Sequence, residues 1–448
     1  MLRRAKMKPP GPRGMERIHL IKRLTEPKIV DAVADLWKTY GDTAVVSLPF
    51  GRTRYFLNDP ADVMDVLVSR SKKFTKGKDL ETFKLLIGHG VTNSEQGDWV
   101  QHRRLVQPNF HHKILESYVP TVLQVVKEHR NRWLEAGDSF QDFNVLFPQL
   151  SQDIVARTML GADLSSQLEQ MHRAWDGAMD FVLARTFTLV PFPIGWPLPS
   201  HRRFNRSARF IRDTVDAVIA QRMEKNVSAD SNTFLARLLR SNAAGELTSV
   251  QVREQALNLL FAGLETTANG LSSALCLILR HPHVQQKLLA ELRAVLGKEP
   301  PSYHTLEKQP YLRQVVYETL RLYPPVCIIP RETLEEVELS TVVLPRGAAV
   351  MVSPYVIHRH PKLWSDPERF EPERFNSPSL MKPPYFLAFG AGARACVGDQ
   401  FAINEMMLVL SDIFQNLHPE MDTSRPIGFF FNGTLRPQPM SIRVSALH

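Results

Sequence analysis

Three cysteines in 448 residues are too few, and too odd in number, for a disulfide framework, so the chain reads as one for a reducing compartment. Cys276, Cys327 and Cys396 are scattered, which excludes the clustered thiolates of a zinc or iron–sulfur site. No stretch supplies the ~18 uninterrupted apolar residues of a spanning helix. The most hydrophobic candidate, TFTLVPFPIGWPLP at 186–199, is broken by four prolines. The amino-terminal MLRRAKMKPPGPRG is basic and proline-rich without an apolar signal-peptide region, so the expectation is a cytoplasmic protein with no transmembrane anchor. No Gly/Ser linker, repeat or low-complexity block divides the chain, and residues 1–448 read as one domain. The net charge of +9 suggests acidic partners, an electron carrier or an anionic surface. The basic residues are spread out and form no recognition motif, so nucleic acid is not among those partners.

What is present is mostly helical. An apolar content of 44% suffices for a large core. Residues 43–57 alternate like a hairpin turning at Pro49, Phe50 and Gly51. Residues 59–70 read as a short helix, 78–95 as an irregular loop, and 115–297 as almost continuous helix. One segment within it, starting at Thr248, carries a capping box with Gln251 and stops before Pro282. A helix so long and so apolar has to cross the interior. Helices near 283–297 and 309–322, short strands over 326–355 and a last helix after Cys396 complete the pattern.

Cys396 lies in FGAGARACVG, residues 389–398. The small residues allow a tight turn. The helix after it and Arg394 before it would both favour a thiolate. A lone cysteine is usually a small buried hydrophobe. A nucleophile needs a positioned base, and no such signature is visible. A single thiolate without companions suits a macrocycle that brings its own four nitrogens, haem.

Within the long helix, AGLETT at 262–267 places Gly263, Glu265 and Thr266 together. A mid-helix glycine costs stability unless something approaches the backbone there. Thr266 can bond the Ala262 carbonyl and locally open the ladder. Glu265 beside Thr266 offers an acid and an alcohol for proton delivery; the bland alternative is a bent helix with a solvated glutamate.

The cysteine loop matches F-x-x-G-x-R-x-C-x-G and the helix segment matches (A/G)-G-x-(D/E)-T-T, and with them the chain resembles the cytochrome P450 family, of soluble bacterial type. The resemblance covers nearly the whole chain. It implies a mainly α fold, a helix-rich prism with a long central helix and a small β-rich part near 40–60 and 326–355, the helical part running over 95–322 and 396–416. It implies haem b held by Cys396 as axial ligand, with Phe389, Ala262 and Gly263 beside the cofactor. Trp99 and Arg103 of WVQHRR, Arg331 of IIPRET and Arg394 would serve its propionates, and arginine forks suit carboxylates. His102 and Arg104 are placed on or near the surface that meets an electron donor. Glu318 and Arg321 of YETLRLYPP match the family's E-x-x-R pair, joined by Arg374 of DPERFEPERF in preference to Arg369.

The activity implied is insertion of one atom of dioxygen into an apolar molecule, by hydroxylation or epoxidation of a terpenoid, fatty acid or polyketide-like compound. Glu265 and Thr266 would be catalytic. NAD(P)H would act indirectly through a ferredoxin or flavodoxin and its reductase, since only about fifty residues follow Cys396. The substrate would touch the loop at 78–95, the run at 181–198, Leu259, Ala262, Val326, Ile328, Ile329 and Phe431 in the 430–433 stretch. Two alternatives are a peroxygenase, isomerase or coupling enzyme on the same fold, and a non-catalytic haem sensor.

Overall fold

In the computed structural model, residues 9–24, 29–49, 53–188, 192–224, 233–422 and 428–447 are described. The long helix runs Ser249–Arg280. Thr248 caps it: the Gln251 amide donates to Thr248 Oγ1 at 3.2 Å and the Thr248 amide to Gln251 Oε1 at 2.9 Å. At about 1.5 Å per residue it spans roughly 48 Å, the width of the domain. Leu257, Leu260, Leu264, Ala268, Leu271, Ala274, Leu275 and Ile278 are buried on it, which is why it tolerates so little polar surface.

The helix Phe143–Val155 lies along this central helix. A Cβ on Gly263 would stand 2.7 Å from Val155 Cγ2, so the glycine serves a close crossing of two helices. Tyr303–Glu307, a five-residue helix, adds to the expected pair at Pro282–Leu296 and Pro310–Leu322.

The β-rich part is a five-stranded sheet. Its order is Thr43–Ser47, Thr53–Leu57, Ala349–Val352, Ile329–Thr333 and Phe74–Thr75. The first two pair antiparallel from Thr43↔Leu57 to Ser47↔Thr53, while Thr53–Leu57 and Ala349–Val352 are parallel. Phe50 and Gly51, in the expected hairpin turn, lie outside the described residues. The edge strand Phe74–Thr75 has no alternation to announce it, being two residues long. A hairpin of Phe429–Asn432 and Thr434–Pro437 packs its second strand on the central helix. Among the described residues no helix is long and apolar enough to cross a membrane.

The helix Asp399–Asn416 follows the cysteine loop and carries a buried acid. Glu405 is 1% exposed, and Ser151 Oγ donates to its Oε1 at 2.7 Å. Its Oε2 has no partner. Burial pushes its carboxyl from 4.5 up to about 8. The protonated fold is therefore the stable one: this contribution is fully present below pH 4.5 and is lost as pH rises through about 8. Each pKa unit is worth about 1.4 kcal/mol. Glu405→Gln should remove that slope, raising the melting temperature at pH 8 and above while changing little at pH 5, as thermal melts across pH would read.

Candidate functional site: a cysteine loop facing the central helix

The cysteine loop turns on two glycines in the left-handed region, Gly390 at φ 70° and Gly392 at φ 69°. A Cβ on Gly392 would lie 2.4 Å from the Leu67 carbonyl oxygen. The Cys396 amide donates to the Phe389 carbonyl at 2.8 Å and closes the turn. Arg103, from the helix Gln96–Val106, donates to the Ala395 carbonyl at 2.6 Å. Cys396 is accessible, yet protein crowds it enough that burial dominates its chemistry.

Burial pushes its thiol up to about 11, opposed by the Gly398 amide and Arg103 and aided by Asp399. In the metal-free chain, burial thus outweighs the charges expected to favour a thiolate. Asp399 opens the following helix and cancels much of what the helix dipole offers. Arg394 does not supply the expected charge either: its Nη2 donates to Glu95 Oε2 at 2.6 Å. A metal cation is what would make this sulfur anionic.

Behind the loop lies the Glu318–Arg321 pair, both side chains 0% exposed. Arg321 Nε and Nη2 fork onto Glu318 at 2.6 and 2.8 Å. Its remaining hydrogens reach the carbonyls of His358, Pro367 and Arg369 at 2.8, 2.7 and 3.2 Å. Arg374 Nε stands 3.5 Å from Glu318, so Arg374 completes the network and Arg369 lends only its carbonyl. His358 connects it forward. Its Nδ1 bonds the Arg321 carbonyl at 2.8 Å and its Nε2 accepts from the Leu387 amide at 2.7 Å. Burial holds His358 neutral, down at about 3, as that second bond requires.

Beside the loop, cations gather. Arg103, Arg331 and Arg394 all act on Lys76, and Glu95 is the carboxylate that Lys76, Arg331 and Arg394 share. Glu95 also accepts from the Lys76 amide, while Lys76 Nζ donates to the carbonyls of Val91 and Thr92 at 2.9 and 2.7 Å. Burial, then the neighbouring arginines against the pull of Glu95, brings Lys76 down to about 7. Burial and Arg394 bring Arg331 down to about 10. One buried nitrogen of Arg394, Nη1, has no partner, and the guanidinium stands 5.9 Å over Trp99. So much enclosed positive charge against one carboxylate calls for a further anion. The two propionates of haem would supply it, and the residues present fit that group.

His102 overturns its expected surface position. It is buried, its ring 5.7 Å from His89, and its Nδ1 is unpartnered; Arg104 is exposed. Spacing alone held the signal, since Trp99, His102 and Arg103 share one face of a helix.

On the central helix, Ala262 is exposed midway along an otherwise buried element, and so marks a cleft. Thr266 Oγ1 donates to the Ala262 carbonyl at 2.7 Å. Glu265 turns elsewhere: its Oε2 accepts from Thr434 Oγ1 at 3.1 Å. The acid and the alcohol are neighbours in sequence but make no bond to each other. Among the other expected contacts, Val326 is 41% exposed, Ile328 and Phe431 are half-buried, and Ile329 is buried in the sheet. Leu259 is buried in the main core, and the exposed turn of the helix begins two residues later. Phe261 instead meets Phe83 at 5.6 Å and Trp175 at 6.0 Å, an aromatic corner that no periodicity foretold.

A thiol loop, a broken turn on a central helix and an anion-hungry cluster of cations define a haem-thiolate protein. Residues 9–443 match the cytochrome P450 family, and the chain belongs to it. The chain is similar to the cyclooctat-9-en-7-ol 5-monooxygenase of Streptomyces melanosporofaciens, 29% identical over 84% of this chain and 82% of that protein. It is also similar to the pentalenene oxygenase of Streptomyces avermitilis, 26% identical over 94% and 97%. A mammalian relative, cytochrome P450 3A11 of Mus musculus, is 29% identical over 92% and 86%. The protein is thus an oxidoreductase of the P450 monooxygenase family, using haem b and dioxygen with electrons passed from NAD(P)H through redox partners.

Proposed function

We propose that this enzyme inserts one oxygen atom into a cyclic terpenoid, by hydroxylation or epoxidation, with electrons from a separate ferredoxin- or flavodoxin-type donor and its reductase. The observation that carries the substrate class is the pair of bacterial relatives named for cyclooctat-9-en-7-ol and pentalenene, matched along most of their length. The apolar, aromatic corner of Phe83, Trp175 and Phe261 and the exposed Val326 support it. Exposed Arg104 is one residue from Arg103, which bonds the cysteine loop, and supports a positive docking face for an acidic donor.

Cys396 would ligate haem, which when bound would supply the redox chemistry that activates dioxygen. Trp99, Arg103, Arg331, Arg394 and Lys76 would hold its propionates. The overall reaction takes substrate, dioxygen, two electrons and two protons to oxygenated product and water. Thr266 holds one hydroxyl proton at the cleft, on Oγ1. Glu265 keeps another behind it: burial pushes this carboxyl from 4.5 up to about 7, so near neutrality it both holds and releases a proton.

Thr266→Ala should lower product formation by roughly a hundredfold while NAD(P)H is still consumed, with the electrons recovered as hydrogen peroxide. Product, cofactor and peroxide measured in one reaction check this. The function itself is tested with a panel of cyclic terpenes, terpene alcohols and fatty acids. A spin-state shift and an oxygenated product for the terpenes only, dependent on dioxygen and on surrogate redox partners, is the expected result. Turnover driven by peroxide alone, or binding confined to fatty acids, would overturn it.

A further inference from the structure

Glu265 bonds the hairpin rather than Thr266, and what surrounds it there is a pocket of polar side chains that the reaction has not yet used. They come from the helix Leu168–Phe187 and the Phe429–Pro437 hairpin. Thr434 donates to Glu265 Oε2 at 3.1 Å and accepts from Asn269 Nδ2 at 2.8 Å. Arg436, two residues on, is close enough to act on both Glu265 and His172. His172 and Asp176 pair at 3.5 Å one turn apart on the helix, and Asp180, a turn further, accepts from Asn432 of the hairpin at 3.2 Å. The charged groups facing Glu265 are thus Arg436 from the hairpin and Asp176 and Asp180 from the helix.

The polar atoms of this pocket are not satisfied. His172 Nδ1, Asp176 Oδ1, Arg436 Nε and Trp175 Nε1 are all buried without a partner. Buried polar atoms take partners, from water where protein offers none. Asp176 and Arg436 lie close enough to act on Glu265, and with His172 beside Asp176 their unsatisfied atoms are the bonding partners that a short chain of waters needs. Asp176 joins the inside to the outside: its side chain is 36% exposed, while one oxygen is buried and points inward.

We propose that protons reach Glu265 from solvent through Asp176, entering between the Leu168–Phe187 helix and the hairpin, with His172 and Arg436 positioning the route and Thr434 delivering to the carboxyl. This rests on the monooxygenase reading. Asp176 takes a proton from bulk water on its exposed side, passes it inward to the pocket, and is reprotonated from bulk. Glu265 gives its proton on the cleft side and is refilled through Thr434, which releases one proton as it receives another. No electron moves. A merely structural pocket, with Arg436 neutralising Glu265, would leave proton supply independent of Asp176.

The test compares Asp176→Asn, Asp176→Glu, Glu265→Gln and Thr266→Ala holoenzymes. Haem content and the spin-state shift with substrate check that the cleft is intact. Asp176→Asn is expected to slow product formation about tenfold, enlarge the solvent deuterium isotope effect and divert electrons to peroxide, and Asp176→Glu to restore all three. Asp176 raises the proton affinity of Glu265, so infrared titration of the Glu265 carboxyl, assigned by its loss in Glu265→Gln, should show a lower midpoint in Asp176→Asn. It should also show slower hydrogen–deuterium exchange. If Asp176→Asn couples and exchanges like the parent while Thr266→Ala still uncouples, the route is elsewhere and the monooxygenase reading stands. If neither Thr266→Ala nor Glu265→Gln uncouples and turnover needs no dioxygen, both are overturned.

Discussion

Arg321→Ala is expected to yield almost no folded protein. The guanidinium is fully buried and makes five hydrogen bonds, two to Glu318 and three to the carbonyls of His358, Pro367 and Arg369. Its removal leaves Glu318 as a buried carboxylate, with Arg374 at 3.5 Å and the Glu371 amide at 2.9 Å its remaining support. Breaking such a pair costs about 3–5 kcal/mol. Each stranded carbonyl adds about 1–3 kcal/mol, against a total stability of about 5–15 kcal/mol. The deficit reaches the whole margin. Arg321→Lys should fare little better, because an ammonium cannot fork onto Glu318 and reach three carbonyls as well. Glu318→Leu with Arg321→Met separates the terms: it deletes both charges but not the carbonyls, and so should recover part of the stability only. Soluble yield, thermal melting and haem content of the three variants read this series.

The same network shows what was legible in the chain and what was not. Glu318 and Arg321, three apart on a helix, and Arg374 in a proline-framed string are local patterns, and they meet as expected. The central helix announces itself by its capping box and its length. His358 had no such signal: a single histidine after a short strand becomes the link between Arg321 and Leu387 only once the chain has folded. Lys76, Glu95, Asp176, Thr434 and Arg436 are of the same kind. They lie on loops, a hairpin and a distant helix, and no periodicity connects them. The reading of Arg394 and Cys396 failed for a different reason. It counted the favourable terms, helix dipole and guanidinium, and left out desolvation, which is the larger. Glu265 was placed with Thr266 by adjacency, yet successive residues on a helix point about 100° apart. That divergence is what lets one side chain face the cleft and the other a proton source.

Cys396→Ser is expected to keep the fold and abolish the monooxygenase reaction. The side chain is small and accessible, makes no bond on which packing depends, and its backbone amide bond to Phe389 is retained. Melting of the protein should therefore change little. Haem content should fall only in part, because Trp99, Arg103, Arg331, Arg394 and Lys76 would give the cofactor a second, independent grip. Activity should fall much further, by at least roughly a thousandfold, which is about 4 kcal/mol of barrier. The disparity follows from what each grip contributes. The cations bind charge remote from the iron and do so equally before and during the reaction, which lowers the free energy of binding but not the barrier. As the haem ligand the sulfur would supply electron density to the iron, and a serine hydroxyl, far less acidic than a thiol, would not replace it. Arg331→Ala with Arg394→Ala is the converse: haem is lost from the pool, while the molecules that retain it turn over near the parent rate. Haem content, turnover per haem and the absorption spectrum of the carbon monoxide complex, taken on both variants, distinguish the two. If activity per haem in Cys396→Ser matched the parent, the sulfur would be only a tether, and the assignment of Cys396 as the ligand that shapes the reaction would fall.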